Sequence, residues 1–529
     1  MKKIRNLAIA AILIVTLLAS GVPAFAFSPA ESRSAENFFV EAGLLKGDGA
    51  GGYGLENAAN RLEGIIILIR LMGKETEALD MNEMPCRFTD VPDWAKGYVN
   101  YADANGISRG VDDTRFGVAD QMTGTQYNTL LLRVLGYDDS RGDFNWKRSL
   151  RQAEKSGILS SDMAEAYQWD EAYTKGDLMD TSFCYLDAKF KDEEQTLIGL
   201  LTDNGAVSEE LAEKYGLGVG GWDSVTTGFY EEDYLNFDIS GNVLNVTGAS
   251  TDEEKTYLLV HLNNIKTGAE KGEKIGRIGS DGRYNISLSL SQLPEGEYYV
   301  DVYGNDERYH YYTSVILESL ILKKTEEDIY FEASPVYGRN LRISTGSRPE
   351  DATLEMTPST RSSKEAVAEI TALAEEITGG LTDDYEKARA IHDWVAEEIY
   401  YDRDYLNGKT GQTNVNSIAV LEERYAVCSG YANLTEDLLA AAGIPNRQVI
   451  GYALGVSDAA SWDEVDLLNG KPNHVWNEAY IGGRWVIFDT TWDSGNEYEN
   501  GKFTDGGVSL LFFDAAVPFL SYTHQAIMP

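Results

Sequence analysis

The chain has 529 residues, 43% of them hydrophobic and 25% charged, a composition that builds cores and excludes wholesale disorder. Such a length suggests about three or four domains. Lysine and arginine number 45 against 85 acidic residues, and the net charge of −40 excludes a nucleic-acid partner, whose phosphates need cations.

The chain opens with a basic stretch (Lys2, Lys3, Arg5), an apolar run from Leu7 to Leu18, and Ala24-Phe25-Ala26. This order predicts a secretory signal over residues 1–26, cleaved after a small-x-small site. The apolar run is too short for a membrane span. The expected mature protein is secreted and associated with the cell surface or wall, with no transmembrane span. Three cysteines are too few for a disulfide scaffold. Cys86 and Cys184 either pair or act as small buried hydrophobes, and Cys428 is left as a free thiol.

Residues 27–217 carry an internal repeat. The first copy has Ala35 to Gly47 followed by Asn60 to Gly73. The second is fuller, with Phe88 to Ala95, Tyr98 to Ala102, Gly106 to Gly110 and Leu130 to Gly136. The third is worn, with Trp146, Ala153 to Leu159 and Tyr173 to Asp177. Each copy predicts a helix, a glycine-pivoted loop and a second amphipathic helix, which must stack on its neighbours to bury an apolar face.

Asp90, Trp94, Gly106-Ile107, Gly110 and the Leu-Leu-Arg-Val-Leu-Gly ending resemble the S-layer homology (SLH) module. The resemblance implies an all-α module that binds a secondary cell-wall polymer, with Arg61, Asp90, Trp94 and Gly110 as its polymer-contacting positions. The second helix of such modules opens with an arginine. Copy one keeps it as Arg61, copy two has Thr123-Gly124-Thr125-Gln126, and copy three offers only Lys175.

Residues 218–350 alternate with a period of two. Leu244 and Val246 share one face, as do Tyr284, Ile286, Leu288 and Leu290, and Tyr298, Val300 and Val302 after a turn at Leu293 to Gly296. Short strands with turn punctuation predict a β-sandwich. The phrase from Asp281 to Val300 resembles bacterial immunoglobulin-like spacer domains. His261 and His310 have no metal-ligand spacing and read as structural.

Residues 351–529 hold the chemistry. Asp383 to Ile399 predicts an amphipathic helix. A second helix follows Tyr425-Ala-Val-Cys428, with Gly443 and Pro445 as its stop. Cys428 therefore sits at a helix N-terminus, where unpaired N–H groups and the dipole stabilise a thiolate and can later hold an oxyanion. His474 to Ile481 alternates as a strand, Gly482-Gly483 makes a hairpin turn, and Trp485 to Asp489 returns. His474 and Asp489 are then near cross-strand partners, an arrangement that lets a carboxylate fix an imidazole tautomer. His392 reads as helix packing, for want of a placed acid.

Three blocks, Val427-Cys428-Ser-Gly-Tyr-Ala, Asn473-His474-Val-Trp476-Asn-Glu and Trp485 to Asp493, resemble the transglutaminase-like superfamily over about 150 residues. The resemblance implies an α+β papain-like fold with Cys428 as nucleophile, His474 as base and acid, and Asp489 as the orienting carboxylate. It implies acyl transfer or hydrolysis on peptide or amide substrates. His524 recurs in tails of that family and reads as structural. No metal or cofactor motif appears: there is no paired histidine and no aspartate-rich calcium loop. The alternative is a non-catalytic wall-binding or adhesin protein built on the same folds.

Overall fold

The computed structural model describes residues 28–47, 52–168, 173–250, 255–306, 313–314, 320–456, 459 and 461–528. The signal-sequence reading of residues 1–26 and His310 lie outside the described residues. The elements that carry the argument are labelled below in chain order.

From Pro29 to Lys214 every named element of the described chain is a helix, joined by turns and loops. Helix α1 (Pro29–Glu41) leads, and α2 (Arg61–Leu71), α3 (Gly124–Val134) and α4 (Lys175–Cys184) are the second helices of the three repeat copies. Each of these three begins with reciprocal capping: Asn60 with Glu63, Thr123 with Gln126, and Thr174 with Asp177. Such caps contribute about 1 kcal/mol each. Single bridges join Asn60 to Gln121 and Ala58 to Thr174, so the leaders of the three helices lie side by side. One apolar core runs from Ala35 to Leu217, which explains why no copy stands alone.

Two antiparallel sheets follow. One runs in spatial order Gly221–Trp222, Ile329–Glu332, Leu320–Lys324, Gly296–Asn305, Tyr257–Asn264, Glu270–Arg277, with Thr313–Ser314 beside Gly296–Asn305. The other runs Ser224–Thr226, Tyr234–Ser240, Val243–Ala249, Arg283–Ser289. Tyr284, Ile286 and Leu288 are buried while Asn285 and Ser287 are exposed, the alternation a half-buried strand requires.

This double layer is not a free spacer. Its core continues through Val449, Trp476, Ile487, Phe512 and Phe519 of the C-terminal region. Gly228 bridges Ala515, Phe229 N–H donates to Asp514 C=O (3.1 Å), and Ala516 N–H donates to Thr227 C=O (3.0 Å).

Helix α5 (Tyr337–Gly346) packs against α1 and the C-terminal strand. Beyond it, α6 (Asp384–Glu398) and α7 (Cys428–Ala441) lie with a four-stranded antiparallel sheet of β1 (Asn446–Ala453), β2 (His474–Ile481), β3 (Arg484–Phe488) and β4 (His524–Met528). The spatial order is β3-β2-β1-β4, so the last strand of the chain closes the sheet beside β1. Gly482 and Gly483 both have positive φ (61° and 87°), which is why the β2–β3 hairpin turns there. This is the helix-against-sheet α+β arrangement expected from the sequence.

Among the described residues, no helix is long and apolar enough to cross a membrane.

Candidate active site

Cys428 is the first residue of α7 and 2% exposed. Val427 precedes it in extended conformation and no side chain caps the helix. The helix is anchored farther along by buried Asp437, which accepts hydrogen bonds from the Thr357, Thr360 and Ser417 hydroxyls at 3.0, 2.6 and 2.5 Å. Cys428 packs with Ala432 and with Val475, the residue after His474.

His474 opens β2, opposite Gly451 of β1. Its neighbour Asn473 fixes the strand start by accepting the Ala453 N–H (2.7 Å) and donating to the Ala453 carbonyl (3.0 Å). The β2–β3 pairing ends at Asn477 and Phe488. Asp489 lies one residue beyond and reaches diagonally, placing Oδ2 2.5 Å from His474 Nε2. Asp489 also caps the short helix Thr490–Asp493, with Oδ1 accepting the N–H groups of Thr491 (2.9 Å) and Trp492 (3.1 Å).

Electrostatics follow from burial and pairing. Burial works against charge on His474, but the Asp489 carboxylate outweighs it by charge and hydrogen bond, and Cys428 adds to the same direction, so the imidazole pKa is raised. Burial would raise the Asp489 pKa, but the charge and hydrogen bond of His474, then of His524, hold it below the usual range. Asp489 therefore favours a proton on the His474 ring and, as an acceptor-only carboxylate, holds it at Nε2. His474 Nδ1 is buried with no hydrogen-bond partner, and the Cys428 thiol is close enough to the ring to act on its charge.

His474 also lines a cavity of about 540 Å³. Tyr401, Arg403, Trp492 and Phe512 contribute from the C-terminal region, and Asp233 and Lys255 from the middle sheets. The middle region therefore walls the cleft, which its reading as a spacer did not foresee.

A second histidine meets the same carboxylate: His524 Nε2 lies 3.2 Å from Asp489 Oδ2. Nothing in the sequence spacing signalled this, because β4 reaches the site only through its pairing with β1. His474, Asp489 and His524 are also the one group of three potential metal ligands among the described residues, with ligand atoms within 4.8 Å. Their direct hydrogen bonds leave no room for an ion between Nε2 and Oδ2 unless a ring moves. His392 corrects another expectation, since it does have placed acids. Its Nδ1 meets Asp393 (3.1 Å) and its Nε2 meets buried Asp493 (3.0 Å). The ring is fully buried between α6 and the 512–513 segment, a packing position.

The wall-polymer positions differ in their surroundings. Arg61 is buried, with Nε unpartnered, and burial lowers its pKa against the nearby Asp120 charge. Asp90 binds the backbone N–H groups of Phe116 (2.8 Å) and Gly117 (2.7 Å) and so shapes a loop. Gly110 has φ 74°, and a Cβ there would meet Phe88 and the Arg115 carbonyl. Trp94 is 60% exposed. Lys175 of copy three pairs with Glu63 of copy one at 2.7 Å. Cys86 and Cys184 are both free thiols, and Cys184 Sγ lies 3.8 Å from Met163 Sδ.

Residues 371–490 match the model of the transglutaminase-like superfamily. Kyphoscoliosis peptidase of Mus musculus is 33% identical over 112 residues, 21% of this chain and 16% of that protein. The middle cell wall protein of Brevibacillus brevis is 28% identical over 230 residues, 41% of this chain and 21% of that one. The surface layer protein of Brevibacillus choshinensis is 31% identical over 152 residues, 26% of this chain and 13% of that one. The chain thus spans between 13% and 21% of the length of these relatives. The motif blocks around Cys428, His474 and Asp489 and the superfamily match fall on the same stretch, and the chain carries a transglutaminase-like domain at residues 371–490.

Proposed function

We propose that the C-terminal region is a thiol acyl-transfer enzyme acting on peptide or amide carbonyls, with Cys428, His474 and Asp489 as its catalytic residues. The observation that carries this is the His474 ring itself. Nε2 is committed to Asp489, Nδ1 has no hydrogen-bond partner, and the Cys428 thiol acts on the same ring. In the reaction the Cys428 proton passes to Nδ1 and Sγ attacks the carbonyl carbon. The N-terminal N–H groups of α7 receive the oxyanion. As the tetrahedral intermediate collapses, the C–N bond breaks and the leaving amine takes the proton from His474. Water or a second amine then attacks the thioester, giving hydrolysis or crosslinking. No cofactor takes part.

The same reading divides the chain into an SLH-like module over 27–217, an immunoglobulin-like sandwich over 218–350 and the transglutaminase-like domain over 351–529. The helical module holds the exported enzyme to a cell-wall polymer, with Arg61 and Trp94 as contacts. The names of the two Brevibacillus relatives support this location.

The test incubates the protein with a glutamine-rich polypeptide and a fluorescent primary amine. Label incorporation or new amino termini, both lost in Cys428→Ala, are expected. Neither product from wild type would leave the non-catalytic binding reading standing.

A further inference from the structure

The carboxylate of Asp489 holds four donors: two backbone N–H groups on Oδ1, and the two histidines on Oδ2. His524 is fully buried and enclosed by aromatic rings, with Trp492, Trp476 and Phe512 at 4.6, 5.2 and 5.4 Å between ring centroids. Its other nitrogen, Nδ1, lies 2.6 Å from the Thr523 hydroxyl. A neutral His524 in this box has one consistent tautomer. Nε2–H donates to Asp489, and Nδ1 accepts from Thr523. Burial lowers the His524 pKa, in keeping with the neutral ring.

We propose that His524 is a positioning residue that orients the Asp489 carboxylate, so that Oδ2 is presented to His474 Nε2 and His474 Nδ1 is left to serve Cys428. The inference rests on the catalytic reading above and extends it to the last strand of the chain. Without the His524 donor, rotation of the Asp489 carboxylate about its Cβ–Cγ bond is opposed only by its bonds to Thr491, Trp492 and His474. The His474 ring would then lose the fixed partner that selects its tautomer. The C-terminal strand thus belongs to the active site. β4 pairs with β1 at Ala453–His524, and β1 pairs with β2 at Gly451–His474, so one strand sets the spacing between the two rings.

The experiment compares wild type, His524→Leu, which keeps the bulk without a donor, and His524→Gln, which keeps an N–H donor. Two signals are read in the full chain: the downfield proton resonance of the His474–Asp489 bond, and the rate of Cys428 alkylation at pH 7. The resonance should vanish or shift in His524→Leu and persist in His524→Gln. Alkylation should fall about tenfold or more in the Leu variant and recover to within about threefold in the Gln variant. In an Asp489→Asn background, His524→Leu should cost nothing further. An unchanged resonance in His524→Leu, or equal loss in the Leu and Gln variants, would overturn the proposal. The resonance reports orientation without turnover. A wild-type protein that shows the resonance but reacts no faster than free cysteine would therefore refute the catalytic reading alone.

Discussion

His474 Nε2 and Asp489 Oδ2 meet at 2.5 Å with both side chains about 1% exposed, so the bridge between them is almost wholly shielded from solvent. Removing the charge while keeping the shape isolates its contribution. Asp489→Asn should lower turnover on the order of 10²- to 10⁴-fold and leave the fold intact. The check is kcat on an amide substrate beside a thermal melt. A loss under about threefold would show that the carboxylate does not stabilise the imidazolium.

The C-terminal strand is fastened by Asn340 of α5. Its Nδ2 donates to Ser521 Oγ (2.9 Å) and the His524 carbonyl (2.7 Å), and its Oδ1 accepts the Ala526 N–H (2.8 Å). Asn340→Ala removes all three of these buried bonds and should cost about 2–3 kcal/mol of stability. Hydrogen exchange across His524–Met528 should rise before the rest of the sheet opens. Uniform exchange throughout the sheet would show that Asn340 does not hold this strand in particular.

A half-buried carboxyl in the helical region gives a prediction of opposite sign. Burial pushes the Asp180 pKa up to about 7, against the Ser32 hydroxyl bond of 2.7 Å. A carboxyl raised in the folded state binds its proton more tightly there than in the unfolded chain. Its cost therefore grows as pH rises from about 4 and is complete above about 7. Asp180→Asn should raise the melting temperature at pH 8, corresponding to roughly 2–4 kcal/mol, and much less at pH 4. The same difference at both pH values would rule out titration of Asp180 as the cause.

Wall attachment is tested on Arg61, the buried cation with an unpartnered Nε. The full chain should co-sediment with cell walls from its own source, and Arg61→Ala should weaken this about tenfold or more without lowering Cys428 reactivity. Unaltered sedimentation of the variant would remove Arg61 from the contact.

Local signals were the legible ones. Gly482-Gly483 between alternating apolar runs fixed the β2–β3 hairpin, and the helical spacing after Cys428 fixed α7 with its stop at Gly443. The alternation at Tyr284, Ile286 and Leu288 fixed the buried face of the strand Arg283–Ser289. What escaped depends on contacts far apart in the chain. His524 is 35 residues from Asp489 and reaches it through β1, and Asp493 is 101 residues from His392. The seam at Thr227 and Ala516 turns a strand-rich region into a wall of the cleft, and no periodicity within either segment encodes that docking.

The most direct test of the central claim is the pH profile of Cys428 alkylation by a small neutral reagent in wild type and His474→Ala. The account predicts that wild-type Cys428 reacts far faster than free cysteine near pH 6. In His474→Ala that rate should fall by orders of magnitude and rise only with alkaline pH, because the base beside the thiol is gone. Superimposable profiles for the two proteins would mean that His474 does not activate Cys428, and the catalytic reading would be contradicted.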